Sequence, residues 1–277
     1  MMINIDLDKC TGCSLCVKDC QCGDIKIKDG KAVSLNKACL NCGHCIAICP
    51  QNAVCTDIYD MNDVKDYNDN EFVIESEKLL NSIKFRRSIR QFNNKIVEKE
   101  KIEKIIEAGR FTPTGGNRQP ISYIVVQEKM VELTHKTIKV LYDIACSYKE
   151  DEHNFISNET KRYSTMWKFM YRQSQKGKDT LFFNAPSMII VLGDERLSVN
   201  PVVDGALAAS SMEMMANSLN LGVCYNGFFT LASQDDVIRN YLFIPDNKKV
   251  VTALLIGYTD NKYLRTVPRK KAEIQWM

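Results

Sequence analysis

An α+β architecture in two parts is what three features of this 277-residue chain predict. Eight of the twelve cysteines fall into two copies of one spacing near the start. Further on, Ser122–Gln127, Ser187–Gly193 and Val250–Gly257 are short apolar runs rich in β-branched residues, as buried strands are. Among them lie helical periods. Val97–Gly109 places Ile102, Ile105, Ile106 and Ala108 on one face and ends on a glycine. Such a mixture predicts a mostly antiparallel sheet flanked by helices rather than a doubly wound fold.

The cysteine runs are Cys10, Cys13, Cys16, Cys20 and Cys39, Cys42, Cys45, Cys49, with Pro50 after the second. The pattern C-x2-C-x2-C-x3-C is that of bacterial two-cluster iron–sulfur proteins, where the fourth cysteine of each run serves the other cluster. Tetrahedral zinc sites instead use separated cysteine pairs. Two 4Fe–4S clusters are therefore expected, one on Cys10, Cys13, Cys16 and Cys49, the other on Cys39, Cys42, Cys45 and Cys20. Gln21 departs from the pattern by standing where proline usually follows, and Cys22 is an alternative ligand to Cys20. Cys55, Cys146 and Cys224 read as small buried apolar residues. Between the runs, Ile25–Leu35 alternates around Asp29–Gly30, a two-residue hairpin turn.

Charge divides the chain as well. Residues 1–60 form the expected cluster domain. Residues 61–77 carry one lysine against six Asp and Glu and read as an acidic linker. Residues 78–277 carry thirty Lys and Arg against twenty-one Asp and Glu, enough chain for one well-cored domain. Its cations gather at Arg86–Arg90 and Arg265–Lys271, which fits one small dianion better than a nucleic acid; a solvated charge run is the plainer reading of each group. No apolar run approaches the ~20 residues of a membrane span, and no leader pattern opens the sequence. Abundant cysteine then points to the reducing cytoplasm. Asp204–Asn220 is apolar or small nearly all round, so it is expected to be buried on both sides, with a second subunit as the further partner. Asp204 and Glu213 on it read as capping or interface groups.

Phe85–Phe92 reads F-R-R-S-I-R-Q-F, Thr112–Pro120 reads T-P-T-G-G-N-R-Q-P, Gly222–Phe229 reads G-V-C-Y-N-G-F-F, and Pro268–Lys271 reads P-R-K-K. With the long apolar helix, these resemble the nitroreductase family of FMN-dependent homodimeric flavoenzymes, and the N-terminal part resembles a bacterial ferredoxin. The resemblance implies a ferredoxin–nitroreductase fusion. It assigns Arg86, Arg87 and Ser88, with Arg269, Lys270 or Lys271, to the FMN phosphate, for which guanidinium forks are suitable donors. Arg90 falls beside the flavin pyrimidine edge, where a cation a few ångströms away is worth ~1–4 kcal/mol to the reduced anion. Thr114, Gly115 and Asn117 are implied to reach the flavin from the partner subunit. Cys224–Gly227, including Asn226 and Gly227, is implied to bring a backbone amide to the flavin's central ring, with Asn226 replacing an acidic residue common in relatives.

Between Asp143 and Phe183 stand Tyr148, Phe155, Tyr163, Trp167, Phe169, Tyr171, Phe182 and Phe183. Two readings are open: a surface helical hairpin packing its aromatics into the core, or a lid that stacks on flat substrates. His44, His135 and His153 are isolated. No dinucleotide, P-loop or nucleophile-elbow motif is present. The expected activity is an oxidoreductase passing electrons from the clusters to FMN and on to a nitroaromatic, quinone or similar flat electrophile. An external ferredoxin or other low-potential donor would supply them. The alternatives are an NAD(P)H-linked flavin enzyme with the clusters as exit, and a non-catalytic redox sensor or electron carrier.

Overall fold

The computed structural model describes residues 3–147 and 155–277. Two compact units result: one runs up to Ile74 and takes in Gly116–Arg118, and the other comprises Glu75–Gly115 and Gln119–Met277.

In the first unit, β1 (Asn4–Ile5) pairs antiparallel with β4 (Val54–Cys55), and β2 (Ile25–Lys28) with β3 (Lys31–Ser34). Asp29 and Gly30 both adopt positive φ, as the tight hairpin turn requires. Helices α1 (Leu15–Asp19) and α2 (His44–Ala47) each follow a cysteine loop. The core here is small: Ile3, Ile25, Ala32, Ala53 and Val54 pack with the thiol side chains of Cys10, Cys16 and Cys45. The acidic stretch holds a 3-10 turn at Met61–Asp63 and a short helix α3 (Asp69–Phe72), capped by Asn68.

The second unit is built on a sheet in the order β5-β6-β8-β7, formed by Ile121–Val126, Ser187–Asp194, Lys248–Gly257 and Gly222–Tyr225. Every ladder in it is antiparallel. A lone parallel bridge between Ser88 and Val223 supplies the mixed character. Alternation along the central strands sorts side chains to two faces. Met188, Ile190, Leu192, Ala253 and Leu255 join one cluster with α6 (Met130–Ser147), α7 (Phe155–Ser174) and α9 (Gly227–Ala232). Ile189, Val191, Leu254 and Ile256 join another with α5 (Lys99–Arg110) and α8 (Pro201–Ser218). Helices thus cover both faces, and α4 (Ser76–Phe85) and α10 (Asp236–Tyr241) complete the unit.

α8 starts where Asn200 accepts from the Val203 amide and Pro201 opens the first turn. Gly205 lets the helix settle on the sheet, since a Cβ there would lie 2.8 Å from Val251. The two sides of α8 differ within the chain. Ala208, Ala209, Met212 and Ala216 are buried, whereas Val202, Val203 and Leu207 are exposed. Within the chain, only one side of the helix is covered.

Candidate functional site

Cys10, Cys13, Cys16 and Cys49 line a single cavity of about 350 Å³ floored by Ile5, Ala32 and Val54. This is the quartet expected for one cluster. The thiols of Cys39 and Cys42 act on Cys45, and Cys22, with Cys20 beside it, feels Cys39 and Cys42, so both candidates for the fourth ligand stand near this second loop. Among the described residues, no three ligating side chains converge as those of a single ion would. Thiols spaced around a void suit a multi-atom cluster better. Burial and the neighbouring thiols push Cys45 up to about 11 and raise Cys16. Amides of Ala32 and Gly12 lower Cys10. Iron would therefore displace protons as it binds.

Backbone geometry repeats between the two loops. Gly12 and Asn41 both have positive φ, as do Ser14 and Gly43, and Gly23 and Asn52. Left-handed residues turn the chain sharply, so that successive cysteines face inward. Gly12 is confined further, because a Cβ there would collide with the Gly30 carbonyl oxygen. Amides reach the sulfurs at equivalent positions: Asp24 N–H to Cys20 Sγ and Ala53 N–H to Cys49 Sγ, both 3.3 Å. The remaining thiols differ from the expected core role. Cys224 is buried, but Cys55 and Cys146 are exposed, because β4 turns Cys55 outward and Cys146 lies on the outer side of α6.

In the second unit, the segment after α4 leads into a cleft of about 780 Å³ lined in part by Arg86, Arg87, Asn217, Gly222 and Asn261. Arg86 donates to Glu213 Oε1 at 2.7 Å, and the Glu213 carboxylate is buried. Arg87 lies over Tyr263, 4.4 Å from the ring centroid, and donates to the Phe85 and Arg265 carbonyls. Among the described residues, no carboxylate pairs with Arg87. Ser88 and Arg90 bond toward Cys224; burial raises that thiol while Arg90 works against the rise. A phosphate dianion fits this donor set, since Arg87 is oriented without being neutralised.

The other expected flavin contacts are distributed as follows. Gly115 N–H donates to Asp204 Oδ1 at 3.1 Å, and Thr114 Oγ1 accepts from the Gln119 amide. Thr114 and Asp204 border a second cavity, of about 420 Å³, with Tyr123. Asn117 donates to the Leu40 and Asn41 carbonyls within the first unit. Arg269, Lys270 and Lys271 are exposed in a tail without secondary structure, where Arg269 donates to Pro268 O.

Asn226 requires a correction. Its amide donates to Ala253 O, its side-chain oxygen accepts from Phe229 N–H at 2.9 Å, and its Nδ2 donates to Leu181 O at 2.8 Å. A buried cap of α9 with these bonds made is a positioning residue; the exposed backbone beside it is that of Gly227.

Of the aromatics between Asp143 and Phe183, Trp167 and Phe182 are fully buried, and Tyr163, Tyr171 and Phe183 pack on the same core. That favours the hairpin over the lid for these five. Phe169 is the outward one among the described side chains of the group. Tyr148 and the Phe155 side chain lie outside the described residues, as does His153. Three features were missed from sequence: the Arg86–Glu213 pair, the Asp204 contacts to Gly115 and Ser198, and a buried Asp24 beside the second loop. Isolated acidic residues carried no pattern to find them by.

Comparison with known proteins agrees with the two units. Residues 83–258 match the family described as "Nitroreductase family", and residues 2–50 match a "4Fe-4S dicluster domain". The chloronitrobenzene nitroreductase of Comamonas testosteroni is 24% identical over 198 residues, 65% of this chain and 86% of that protein. The FMN reductase (NADPH) of Bacillus subtilis is 25% identical over 177 residues, 63% of each chain. For the N-terminal part, a component of an ion-translocating oxidoreductase complex from Methanosarcina acetivorans is 42% identical over 45 residues, 16% of this chain and 17% of that protein. In fold, an FMN-bound nitroreductase from Bacteroides fragilis superposes with a TM-score of 0.57 at 21% identity, covering 72% of this chain and 98% of its own. The chain belongs to the nitroreductase family, as an oxidoreductase domain fused behind a 4Fe–4S dicluster domain.

Proposed function

We propose that the protein is an iron–sulfur flavoenzyme that takes electrons through two 4Fe–4S clusters and delivers them from FMN to a nitroaromatic, quinone or similar flat electrophile. The observation that carries this reading is the four-thiol cavity of Cys10, Cys13, Cys16 and Cys49 in the same chain as a nitroreductase domain. When bound, the clusters would supply single electrons and FMN the two-electron chemistry. The residues of this chain contribute binding and orientation. Arg86, held by Glu213, and Arg87, stacked on Tyr263, present guanidinium groups whose rotamer freedom is already reduced, so less is lost on gripping a phosphate. Ser88 adds a short hydroxyl. Arg90 keeps a positive charge near the end of β7, and Gly227 leaves its backbone open where α9 begins.

A homodimer in the cytoplasm belongs to the same reading. Exposed Leu79, Leu80 and Ile83 on α4, with Val202, Val203 and Leu207 on α8, offer apolar surface for a second copy. Thr114, Gly115 and Asn117 would then be contributed across that contact, while Arg269, Lys270 or Lys271 would add a cation for the phosphate.

Anaerobic protein should contain iron, acid-labile sulfide and FMN in every chain and should reduce nitrobenzene with reduced ferredoxin. Cys13→Ala should abolish this turnover while sparing any driven by NADPH; equal loss of both would contradict the electron path. A second reading, NAD(P)H as donor with the clusters as exit, is supported by the likeness to an NADPH-linked FMN reductase. It requires flavin bleaching by NADPH alone.

A further inference from the structure

The two cysteine loops repeat one another closely enough to be compared residue by residue. Leu35 N–H donates to Asp24 O at 2.8 Å, as Asp6 N–H does to Ala53 O at 2.8 Å. In each half, a carboxylate also gathers two amides just ahead of the first cysteine. Asp6 Oδ1 accepts from Asp8 and Lys9 ahead of Cys10, and Asp24 Oδ1 accepts from Lys37 and Ala38 ahead of Cys39.

The two carboxylates sit in opposite surroundings. Asp6 is exposed and paired with Lys9. Asp24 is only 3% exposed and, among the described residues, has no ion pair and no hydrogen-bond partner for Oδ2. Its own amide donates to Cys20 Sγ, so it lies against the second ligand set. The first set instead has a nearby cation: Lys31 Nζ donates to the Cys10 carbonyl. Amide–sulfur bonds do not offset this contrast. Two on each side lie at 3.3–3.4 Å, Ala32 and Ala53 serving Cys10 and Cys49, and Asp24 and Asn41 serving Cys20 and Cys39; the Gly12 amide adds to Cys10, which acts in the same direction as the charges. Around the second set Asp19 and His44 bond to each other at the surface, and Lys18 and Lys37 are exposed, so their charges are screened more than that of Asp24. Hydrogen bonds to sulfur, net charge and exposure tune cluster potentials. With the first roughly equal, charge decides, and a buried charge acts with less screening than an exposed one.

We propose that Asp24 divides the potentials of the two centres, making the one on Cys20, Cys39, Cys42 and Cys45 the harder to reduce, and that Lys31 makes the one on Cys10, Cys13, Cys16 and Cys49 the easier. Each reduction adds one electron from an external one-electron donor, with no bond made or broken. An arriving electron therefore rests on the first centre, and the second fills only under a stronger donor. Asp24 is a positioning residue as well, because it ties Cys20 to the backbone ahead of Cys39. This rests on the dicluster reading above.

The test is an EPR-monitored titration of the anaerobic holoprotein with dithionite and mediators, after counting iron and sulfide. Iron for fewer than two clusters in the natural protein would overturn the dicluster reading itself, and this inference with it. Given two clusters, two one-electron steps should be resolved. Asp24→Asn keeps the amide-accepting oxygen and removes the charge. It should raise the reduction equilibrium constant of the lower step at least about tenfold, about 59 mV for one electron, and leave the upper step in place. Lys31→Gln should lower the upper step alone. A single unresolved step, or both steps moving together in either variant, would overturn the proposal. Should Asp24→Asn lose iron, the Lys31→Gln shift decides: movement of the lower step, or of neither, sinks it.

Discussion

The two units of this chain solve the problem of a core in opposite ways. The second has two apolar clusters, one on each face of its sheet, with Met188, Ile189, Ile190, Val191, Leu254 and Leu255 fully buried. The first has a handful of small aliphatic side chains, and its buried groups include the three thiols of Cys10, Cys16 and Cys45. Hydrocarbon packing can sustain the one without assistance, whereas the other needs its inorganic filling to hold shape. What looks like one protein is two stability regimes on one backbone.

The widest gap between the regimes should open on removing iron. Chelation under reducing conditions should unfold the first unit while the second keeps a cooperative thermal transition; hydrogen exchange read segment by segment separates the two. If both units lose protection together, the comparison fails. Next in size is Gly12→Ala. With φ at +70° and a Cβ driven into the Gly30 carbonyl, the loop must distort, and the cluster on Cys10, Cys13, Cys16 and Cys49 should be lost. Iron analysis should then find about half the natural content.

Within the second unit, Asn226→Ala removes the α9 cap and strands the buried Leu181 carbonyl. It should cost about 2–4 kcal/mol in denaturant unfolding of that unit. Flavin binding would weaken only through displacement of Gly227. Tyr123→Phe is expected to have the smallest effect. Its hydroxyl is buried without a partner, and burial pushes its pKa up to about 12. Deleting it should be neutral or stabilise by up to ~1 kcal/mol, as the thermal midpoint would register.

Much of this was legible in the residues. The cysteine spacing put Cys10, Cys13, Cys16 and Cys49 together as one expected ligand set, and these four line one cavity. The strands at Ile121–Val126, Ser187–Asp194 and Lys248–Gly257 fell within two residues of expectation, because β-branched runs have few alternatives. Long-range polar partners were not legible. Arg86 and Glu213 are far apart in sequence, and only the packing of α4 against α8 brings them together. Asn226 looked like a ligand-binding residue because its neighbours do; its cap of α9 is local, but its buried amide and Nδ2 are taken up by Ala253 and Leu181 from two other segments. Trp167 could not be sorted between lid and core without the register of α7 against α6 and the arrival of Phe228.

One consequence follows from Cys49 joining the cavity of Cys10, Cys13 and Cys16. Under the proposed two-cluster reading, each half of the cysteine repeat gives its last ligand to the opposite centre, so the halves would be linked like two rings of a chain. Neither can be trimmed away as a spare copy. On that reading, a deletion ending anywhere between Cys20 and Cys39 would disarm both centres at once.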